Sequence, residues 1–217
     1  MTRVGTVAGI LWALLAAGPA HAQKTSAELT DPPGDVNEAN NGPENARDVV
    51  KLSLGSDGTS LTVAATLAKD ERSTMAGGVV RFYVDRDRNA ATGGKTRYGQ
   101  AGFELEGELS VCHGDGAAIT SCAGGGDGKP PRARYARVGL EEFTGKRGEP
   151  IQKYTTTRTV SSGMDSASGP PLVGRVVTAA IPYADLGVKA GQVVRVLALE
   201  VDANDDGAFP EVLLTLK

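Results

Sequence analysis

Polar and apolar residues alternate along much of the chain, which is the pattern of β-strands with one buried face. The clearest alternation covers residues 103–111. Its apolar side chains point one way and its polar side chains the other: Phe103, Leu105, Leu109 and Val111 against Glu104, Glu106, Glu108 and Ser110. No segment longer than one turn repeats apolar residues at the spacing of a helix. The pattern therefore predicts a β-protein.

Glycine-rich turns separate the predicted strands. Residues 48–54 and 61–67 flank Gly55-Ser56-Asp57-Gly58, and this arrangement is typical of a β-hairpin. The other strand candidates are residues 79–84, 135–143, 151–160, 172–181, 193–202 and 212–217. Pro182 to Gly187 is expected to form one helical turn that ends at the glycine. About nine or ten short strands joined by turns predict an all-β fold, an antiparallel β-sandwich of jelly-roll type.

The amino-acid composition agrees with this fold. The 217 residues include 29 glycines and 11 prolines but only 5% aromatic residues, which favours short strands joined by turns over packed helices. With 40% hydrophobic and 23% charged residues, the chain is not a collagen, a coiled coil or a wholly disordered protein. The net charge of −3 argues against a nucleic-acid partner.

The first 22 residues have the features of a signal peptide. Arg3 is followed by an apolar stretch from Val7 to Ala17, and Ala20-His21-Ala22 places small residues where a signal peptidase reads them. We therefore expect cleavage before Gln23 and a secreted protein, either periplasmic or extracellular. A retained anchor is the alternative, but the stretch is shorter than the roughly 20 residues that cross a bilayer. Because no second hydrophobic run follows, membrane insertion is not expected.

Two regions follow the predicted signal peptide. Residues 23–46 are rich in proline, asparagine, glutamate and glycine, which predicts an irregular lead-in, and residues 47–217 predict a single β-sandwich domain. Cys112 and Cys122 flank a turn-forming cluster, so in an exported protein we expect a disulfide across the end of a hairpin. Redox catalysis is the alternative, but the spacing is not Cys-x-x-Cys.

The sharpest local motif is Asp202-Ala203-Asn204-Asp205-Asp206-Gly207, which matches the start of a calcium loop. Alternate side chains supply oxygen ligands there, and Glu211 is available downstream. An EF-hand is not expected, because its glutamate position holds Leu213 and the flanking segments read as strands. The motif predicts a strand-loop-strand calcium site with Asp202, Asn204, Asp206 and Glu211. The alternative is a hairpin in which Asp206-Gly207 only favours a turn.

A second acidic loop follows the strand that ends at Val84. Asp85, Asp87 and Asn89 have the spacing of cation ligands, which makes them further calcium candidates. The alternative is that Arg86 and Arg88 neutralise these carboxylates, and Ala90 stands where a calcium loop has glycine. A stripe of glutamates on the predicted strand at 103–111 is within reach, but we interpret it as the solvated face of that strand: Glu104, Glu106 and Glu108.

Several motifs occur together in a fixed order. They are Asp31-Pro32-Pro33-Gly34-Asp35 ahead of Asp48, the Asp57-Gly58 hairpin, Phe82-Tyr83-Val84-Asp85-x-Asp87-x-Asn89-x-x-Thr92-Gly93, Ile181-Pro182-Tyr183-Ala184-Asp185-Leu186-Gly187 with Gly191, and the loop at 202–207. Over residues 31–216 the chain thus resembles the β-sandwich modules grouped around family-nine carbohydrate-binding modules and the related DOMON domains. The resemblance implies an extracellular jelly-roll-like sandwich with structural calcium, commonly a non-catalytic module that binds sugars or, in the DOMON branch, haem.

The expected function is therefore a non-catalytic, calcium-stabilised module that binds a glycan or another extracellular or cell-surface ligand. The chain departs from sugar-binding members because its one tryptophan, Trp12, lies in the predicted signal peptide. Haem is disfavoured because His113 is the only histidine beyond that segment. The alternative is a carbohydrate-active enzyme, or an ancillary domain of one, that uses paired carboxylates. The pattern specifies no oligomeric state.

Overall fold

A computed structural model describes residues 24–32, 48–68, 77–96, 99–114, 119–121, 133–143, 158–160, 176–200 and 209–217. The strands are β1 (Ser26–Thr30), β2 (Val49–Ser56), β3 (Ser60–Leu67), β4 (Gly77–Asp85), β5 (Gly94–Lys95), β6 (Ala101–Phe103), β7 (Leu105–Gly114), β8 (Ile119–Ser121), β9 (Ala133–Glu142), β10 (Arg158–Val160), β11 (Val176–Pro182), β12 (Val193–Glu200) and β13 (Val212–Thr215). One helical turn, α1 (Tyr183–Leu186), precedes β12. The predicted signal peptide lies outside the described residues.

The strands form two antiparallel sheets that pack face to face. The small sheet has the strand order β1-β2-β3-β11, and the large sheet has the order β10-β9-β7-β4-β12-β13, with β8 paired to β7. The short pair β5–β6 stands apart from both sheets in hydrogen bonding. The predicted all-β, antiparallel β-sandwich is thus confirmed.

The core forms where the alternating apolar positions of the two sheets meet. Every second residue of β3 is buried, from Leu61 through Val63 and Ala65 to Leu67. Strand β7 contributes Leu109 from the opposite sheet, and the same buried cluster contains residues of both sheets. Burial of apolar surface at roughly 25 cal/mol per Å² is the main force that holds the sheets together.

A glycine in the large sheet makes room for an aromatic ring of the core. Gly107 on β7 lies directly opposite Phe82 on β4, and the Phe82 side chain is fully buried. A Cβ atom at Gly107 would lie only 2.2 Å from Phe82 Cζ, closer than any two carbon atoms can pack. The Phe82 ring can therefore occupy this position only because residue 107 has no side chain.

The helical turn predicted before Gly187 is confirmed. Helix α1 ends at Gly187, whose φ of 66° is left-handed, and the Val188 amide donates to the Tyr183 carbonyl at 3.0 Å. Tyr183 is buried, and its hydroxyl is hydrogen-bonded to Ser56 Oγ. The turn is thus anchored to the small sheet.

The lead-in predicted for residues 23–46 contains a strand. Ser26–Thr30 form β1, which pairs with β2 from Ser26↔Gly55 to Thr30↔Lys51. The prediction of irregular structure was wrong for these five residues. Only Ala27 and Leu29 supply the apolar alternation, which is too short to distinguish an edge strand from a loop. Residue Lys24 also forms a parallel bridge to Leu214 of β13, so this segment contacts both sheets.

The outer face of the large sheet carries a small second core. Phe103 belongs to it, together with Tyr83, Leu197 and Leu199, and the rings of Tyr83 and Phe103 lie 5.8 Å apart. The prediction that Phe103 shares a face with Leu105 was wrong. The chain is irregular at Glu104, between β6 and β7, and this break changes the side-chain alternation.

Cys112 lies on β7, is fully buried and is not a free thiol. Its predicted partner, Cys122, lies outside the described residues, so the pairing between them stays a prediction. None of the described helices has the length and apolar character to cross a membrane.

Substitution of Gly107 by alanine is expected to destabilise the chain by about 1–3 kcal/mol, because the new methyl group must displace the Phe82 ring in a packed core. The free energy of unfolding, measured by denaturant titration, tests this. The matched control is Gly139→Ala on the neighbouring strand β9, where a Cβ atom meets nothing within 4 Å. The control should change stability by no more than about 0.5 kcal/mol. Equal effects of the two substitutions would contradict the packing described here.

Candidate metal centre

The loop that leaves β4 begins at a fully buried carboxylate. Asp85 is the last residue of β4 and is 0% exposed. Arg195 lies opposite it on β12, and Arg195 Nε donates to Asp85 Oδ2 at 2.8 Å. The other oxygen, Oδ1, accepts from the amides of Asp87 at 3.1 Å and Arg88 at 2.5 Å. Both oxygens of this carboxylate therefore have partners.

The Asp-x-Asp-x-Asn spacing produces three successive turns. Each side-chain oxygen accepts from the amide two residues ahead: Asp85 from Asp87, Asp87 from Asn89 at 2.8 Å, and Asn89 from Ala91 at 3.0 Å. Such bonds are the reason that aspartate and asparagine favour turns. Between them, Arg88 adopts a left-handed φ of 56°. The motif thus curls the backbone so that its polar groups lie close together.

A third carboxylate joins the loop from the break between β6 and β7. Glu104 Oε2 accepts from the Arg86 amide at 2.7 Å, and the Glu104 amide donates to the Val84 carbonyl at 3.1 Å. Asp85, Asp87 and Glu104 each place a carboxylate oxygen within 4.8 Å of the others. These three residues are called the acidic cluster below.

The hydroxyl of Thr92 lies among four oxygen atoms. Thr92 Oγ1 is 3.0 and 2.9 Å from the two carboxylate oxygens of Asp87, 2.9 Å from the Asn89 carbonyl oxygen and 3.0 Å from Glu104 Oε1. A hydroxyl group has one hydrogen and can satisfy only one of these acceptors well. The amides of Asn89 and Thr92 also donate to Asp87 Oδ1 and to the Asn89 carbonyl, so two carboxylate oxygens, Asp87 Oδ2 and Glu104 Oε1, share the hydroxyl hydrogen. Their excess negative charge would be offset by a proton or a cation.

The charge of the acidic cluster also affects the pKa of Glu104. Its pKa is raised, first because the carboxylate is half-buried and then because the charges of Asp87 and Asp85 are close. Hydrogen bonds from the Arg86 amide and from Thr92 act in the opposite direction but do not cancel this effect. Neutralising the negative charge of Glu104 therefore stabilises the folded chain.

The structure brings together only part of the predicted ligand set. Asp85 and Asp87 are adjacent, as predicted, but the Asn89 side chain points its oxygen at the Ala91 amide. The Asn89 main-chain carbonyl, rather than its side chain, faces Thr92. In the other predicted loop, Asp202, Asn204 and Asp206 lie outside the described residues. Glu211 is exposed and accepts from Arg195 Nη1 at 3.2 Å.

The prediction for Glu104 was wrong. Glu104 was assigned to a solvated stripe, but the break between β6 and β7 turns it into the acidic cluster. The alternative that the flanking arginines neutralise the loop does not hold for Asp85, which pairs with Arg195, while Arg86 pairs with Glu142 at 2.8 Å. Adjacent residues on an extended chain point in different directions, whereas residues in register on paired strands share a face.

The remaining glutamates of the predicted stripe form an ion-pair group on the outer face of the large sheet. Arg81 on β4 lies 3.0 Å from Glu106 and 2.9 Å from Glu108 on β7. Burial raises the pKa of Glu106, although Arg81 lowers it. The stripe is therefore partly buried and paired, and the prediction of a simply solvated face was wrong for it.

The donor set of the acidic cluster fits a hard cation. Five oxygens converge there: both carboxylate oxygens of Asp87, Glu104 Oε1, the Asn89 carbonyl and the Thr92 hydroxyl. Calcium takes six to eight such ligands in flexible geometry, with water supplying the remainder. These oxygen donors do not suit zinc, which is held mainly by nitrogen and sulfur ligands. The residues therefore suit a cation that prefers oxygen ligands.

The chain was compared with protein-family models, with curated proteins and with solved structures, and none of these comparisons found a match.

Glu104→Gln is expected to flatten the dependence of stability on pH when a chelator is present. Because the folded chain raises the pKa of Glu104 above its ordinary value of 4.5, the folded state holds the proton more tightly than the unfolded state. Wild-type stability should therefore fall as the pH rises from about 4 through the raised pKa, and the variant should lose this component. Denaturant titrations at a series of pH values measure it.

Asp57→Asn is the control, because the Asp57 carboxylate changes the stability with pH in the opposite direction from Glu104. The amides of Thr59 and Ser60 lower the pKa of Asp57, so its contribution is present at neutral pH and is lost as the pH falls through its folded pKa. If wild type and Glu104→Gln show the same pH dependence in chelator, the charge assigned to the acidic cluster is wrong.

Proposed function

We propose that this chain is a secreted, non-catalytic β-sandwich module whose loop at residues 85–93 is stabilised by calcium. The observation that carries the proposal is the single Thr92 hydroxyl among oxygens of Asp87, Asn89 and Glu104, all within 3.0 Å. Backbone amides also donate to Asp87 Oδ1 and to the Asn89 carbonyl, but Asp87 Oδ2 and Glu104 Oε1 must share the one hydroxyl hydrogen of Thr92. The site therefore has unmatched negative charge. A bound calcium ion would offset that charge and draw the oxygens together.

The chain's own residues prepare this site. The turns at Asp85, Asp87 and Asn89 fix the backbone, and Glu104 holds the far side of the loop through the Arg86 amide. The loop contacts the pair β5–β6, since a Cβ atom at Gly93 would lie 2.4 Å from the Phe103 carbonyl oxygen. Stabilisation of the loop would therefore also brace this pair against the outer face of the large sheet.

A binding module is favoured over an enzyme because four glutamates near the acidic cluster are held in ion pairs. Glu106 and Glu108 share Arg81, Glu142 pairs with Arg86, and Glu211 pairs with Arg195. A glycosidase needs two carboxyl groups that face the substrate, one to donate a proton and one to act as base or nucleophile. A pair neutralised by an arginine in the same sheet serves structure instead.

The remaining parts of the proposal extend the sequence analysis. We include in it export, a disulfide between Cys112 and Cys122, a second calcium loop with Asp202, Asn204 and Asp206, and a glycan or another extracellular ligand as the partner. A glycan panel tests the ligand, and hydrolysis of any member of that panel would overturn the non-catalytic assignment.

Calcium is expected to raise the melting temperature relative to excess chelator. A free ion at about 100 times the dissociation constant stabilises the folded state by roughly 2.7 kcal/mol per site. For a chain of this size that corresponds to a shift of about 5–10 °C in thermal unfolding. Asp87→Asn and Glu104→Gln should each remove the part of this shift that the 85–93 loop contributes, because each takes away a charged ligand.

The matched control is again Asp57→Asn, whose carboxylate oxygen accepts from Thr59 and Ser60 in the β2–β3 turn. This variant should lower the melting temperature in both conditions and leave the calcium shift unchanged. An identical melting temperature for the wild type in calcium and in chelator would refute the calcium site. A calcium shift of the full wild-type size in both Asp87→Asn and Glu104→Gln would place the ion elsewhere.

A further inference from the structure

We propose that Arg195 is a positioning residue that acts as a built-in counter-cation for Asp85 and so excludes Asp85 from the ligands of the ion. The second half of this statement rests on the proposed function, whereas the first half does not. The inference comes from the hydrogen bonds of the two side chains: each guanidinium nitrogen of Arg195 has an acceptor, and each carboxylate oxygen of Asp85 has a donor.

Every nitrogen of the Arg195 guanidinium has an acceptor. Nε donates to Asp85 Oδ2 at 2.8 Å, Nη1 donates to Glu211 Oε2 at 3.2 Å, and Nη2 donates to the carbonyl oxygens of Ala101 at 2.8 Å and Gly102 at 3.3 Å. The planar fork of arginine suits this arrangement, because its donors point in fixed and different directions. One side chain thus connects β12, the end of β4, β6 and the start of β13.

The contact with β6 depends on two further features. The guanidinium carbon of Arg195 lies 4.4 Å from the centre of the Phe103 ring, in a cation–π contact. Gly102 has a left-handed φ of 95°, and a Cβ atom there would lie 2.7 Å from Arg195 Nη2 and 2.8 Å from the Ala90 Cα. The sequence therefore leaves space for the guanidinium between β6 and the loop.

Asp85 differs from the other two carboxylates of the acidic cluster. It is fully buried, and its two oxygens already accept from Arg195 and from two amides. Asp87 is exposed and Glu104 is partly exposed. An ion that took Asp85 as a ligand would have to displace Arg195 and leave a guanidinium without its buried partner, which is costly. Asp87 and Glu104 remain as the charged ligands.

The first test is made in chelator, so that no ion contributes. Arg195→Gln should lower the hydrogen-exchange protection of the Asp87 and Arg88 amides by roughly tenfold or more, because both donate to a carboxylate that has lost its charged partner. Arg195→Lys restores the positive charge at Asp85 but not the fork. It should recover most of the protection at Asp87 and Arg88 and leave that of the Thr96 amide, in the β5–β6 hairpin, reduced.

Arg81→Gln is the matched control, because Arg81 also bridges two carboxylates on the large sheet. It should leave the protection of the Asp87 and Arg88 amides unchanged. The role of Arg195 is overturned if Arg195→Gln also leaves these amides unchanged, if Arg195→Lys does not rescue them, or if Arg81→Gln lowers them equally. Should Arg195→Gln fail to fold, the comparison of Arg195→Lys with wild type at the Thr96 amide decides in the same way.

The second test measures the calcium affinity of variants by calorimetric titration and so distinguishes ligands from residues that do not bind the ion. The double variant Asp85→Asn/Arg195→Gln replaces the ion pair by a neutral hydrogen-bonded pair and keeps the loop amides supplied with an acceptor. Its calcium affinity should stay within about threefold of wild type, while Asp87→Asn should lose more than about tenfold, since affinity follows the charge of the direct ligands. Equal losses in the two variants would make Asp85 a ligand and overturn its exclusion.

The two proposals fail in different ways. If wild type binds no calcium but Arg195→Gln loses protection at the loop amides in chelator, the proposed function is wrong and Arg195 remains the counter-cation of Asp85. The second half of the inference, that Asp85 is excluded from the calcium ligands, then fails together with the proposed function, because there is no ion to bind. If wild type binds calcium and the exchange pattern ignores Arg195, the proposed function stands and the role of Arg195 is refuted.

Discussion

The arrangement at this end of the sandwich depends on one buried ion pair, between Asp85 and Arg195. The two residues face each other because β4 and β12 are neighbours in the large sheet, although they are far apart in sequence. Burying a carboxylate with no exposed surface is costly unless it is paired and hydrogen-bonded, as Asp85 is here. The register of two central strands therefore decides where the loop begins and where the β5–β6 pair can settle.

Around this pair, the same residues serve two purposes. The aspartates and the asparagine of the 85–93 loop shape the backbone through their turns, and this shape gathers carboxylate, carbonyl and hydroxyl oxygens at one point. The turns come from local hydrogen bonds, and Glu104 adds a further negative charge beside them.

Local patterns predicted the features that depend on local interactions. The alternation in β2 and β3, the turn between them and the glycine that ends α1 all follow from neighbouring residues. Glu104 and Phe103 were misassigned because one irregular residue between β6 and β7 reverses the alternation, and no sequence signal marked it. The pairing of Asp85 with Arg195 required the strand order, which periodicity alone does not provide. An arginine on a predicted strand, such as Arg195, is the sequence feature that would have suggested a partner for the acidic loop.

The segment around Lys24 has a consequence for the order of folding. The Lys24 carbonyl accepts from the Thr215 amide at 2.8 Å, and from Ser26, two residues later, the same segment is part of the small sheet. Contacts between such distant parts of a chain are slow to form, because the intervening residues must first lose much of their conformational freedom. Closure of the sandwich at this edge therefore has to wait until β13 is available to pair with the segment around Lys24.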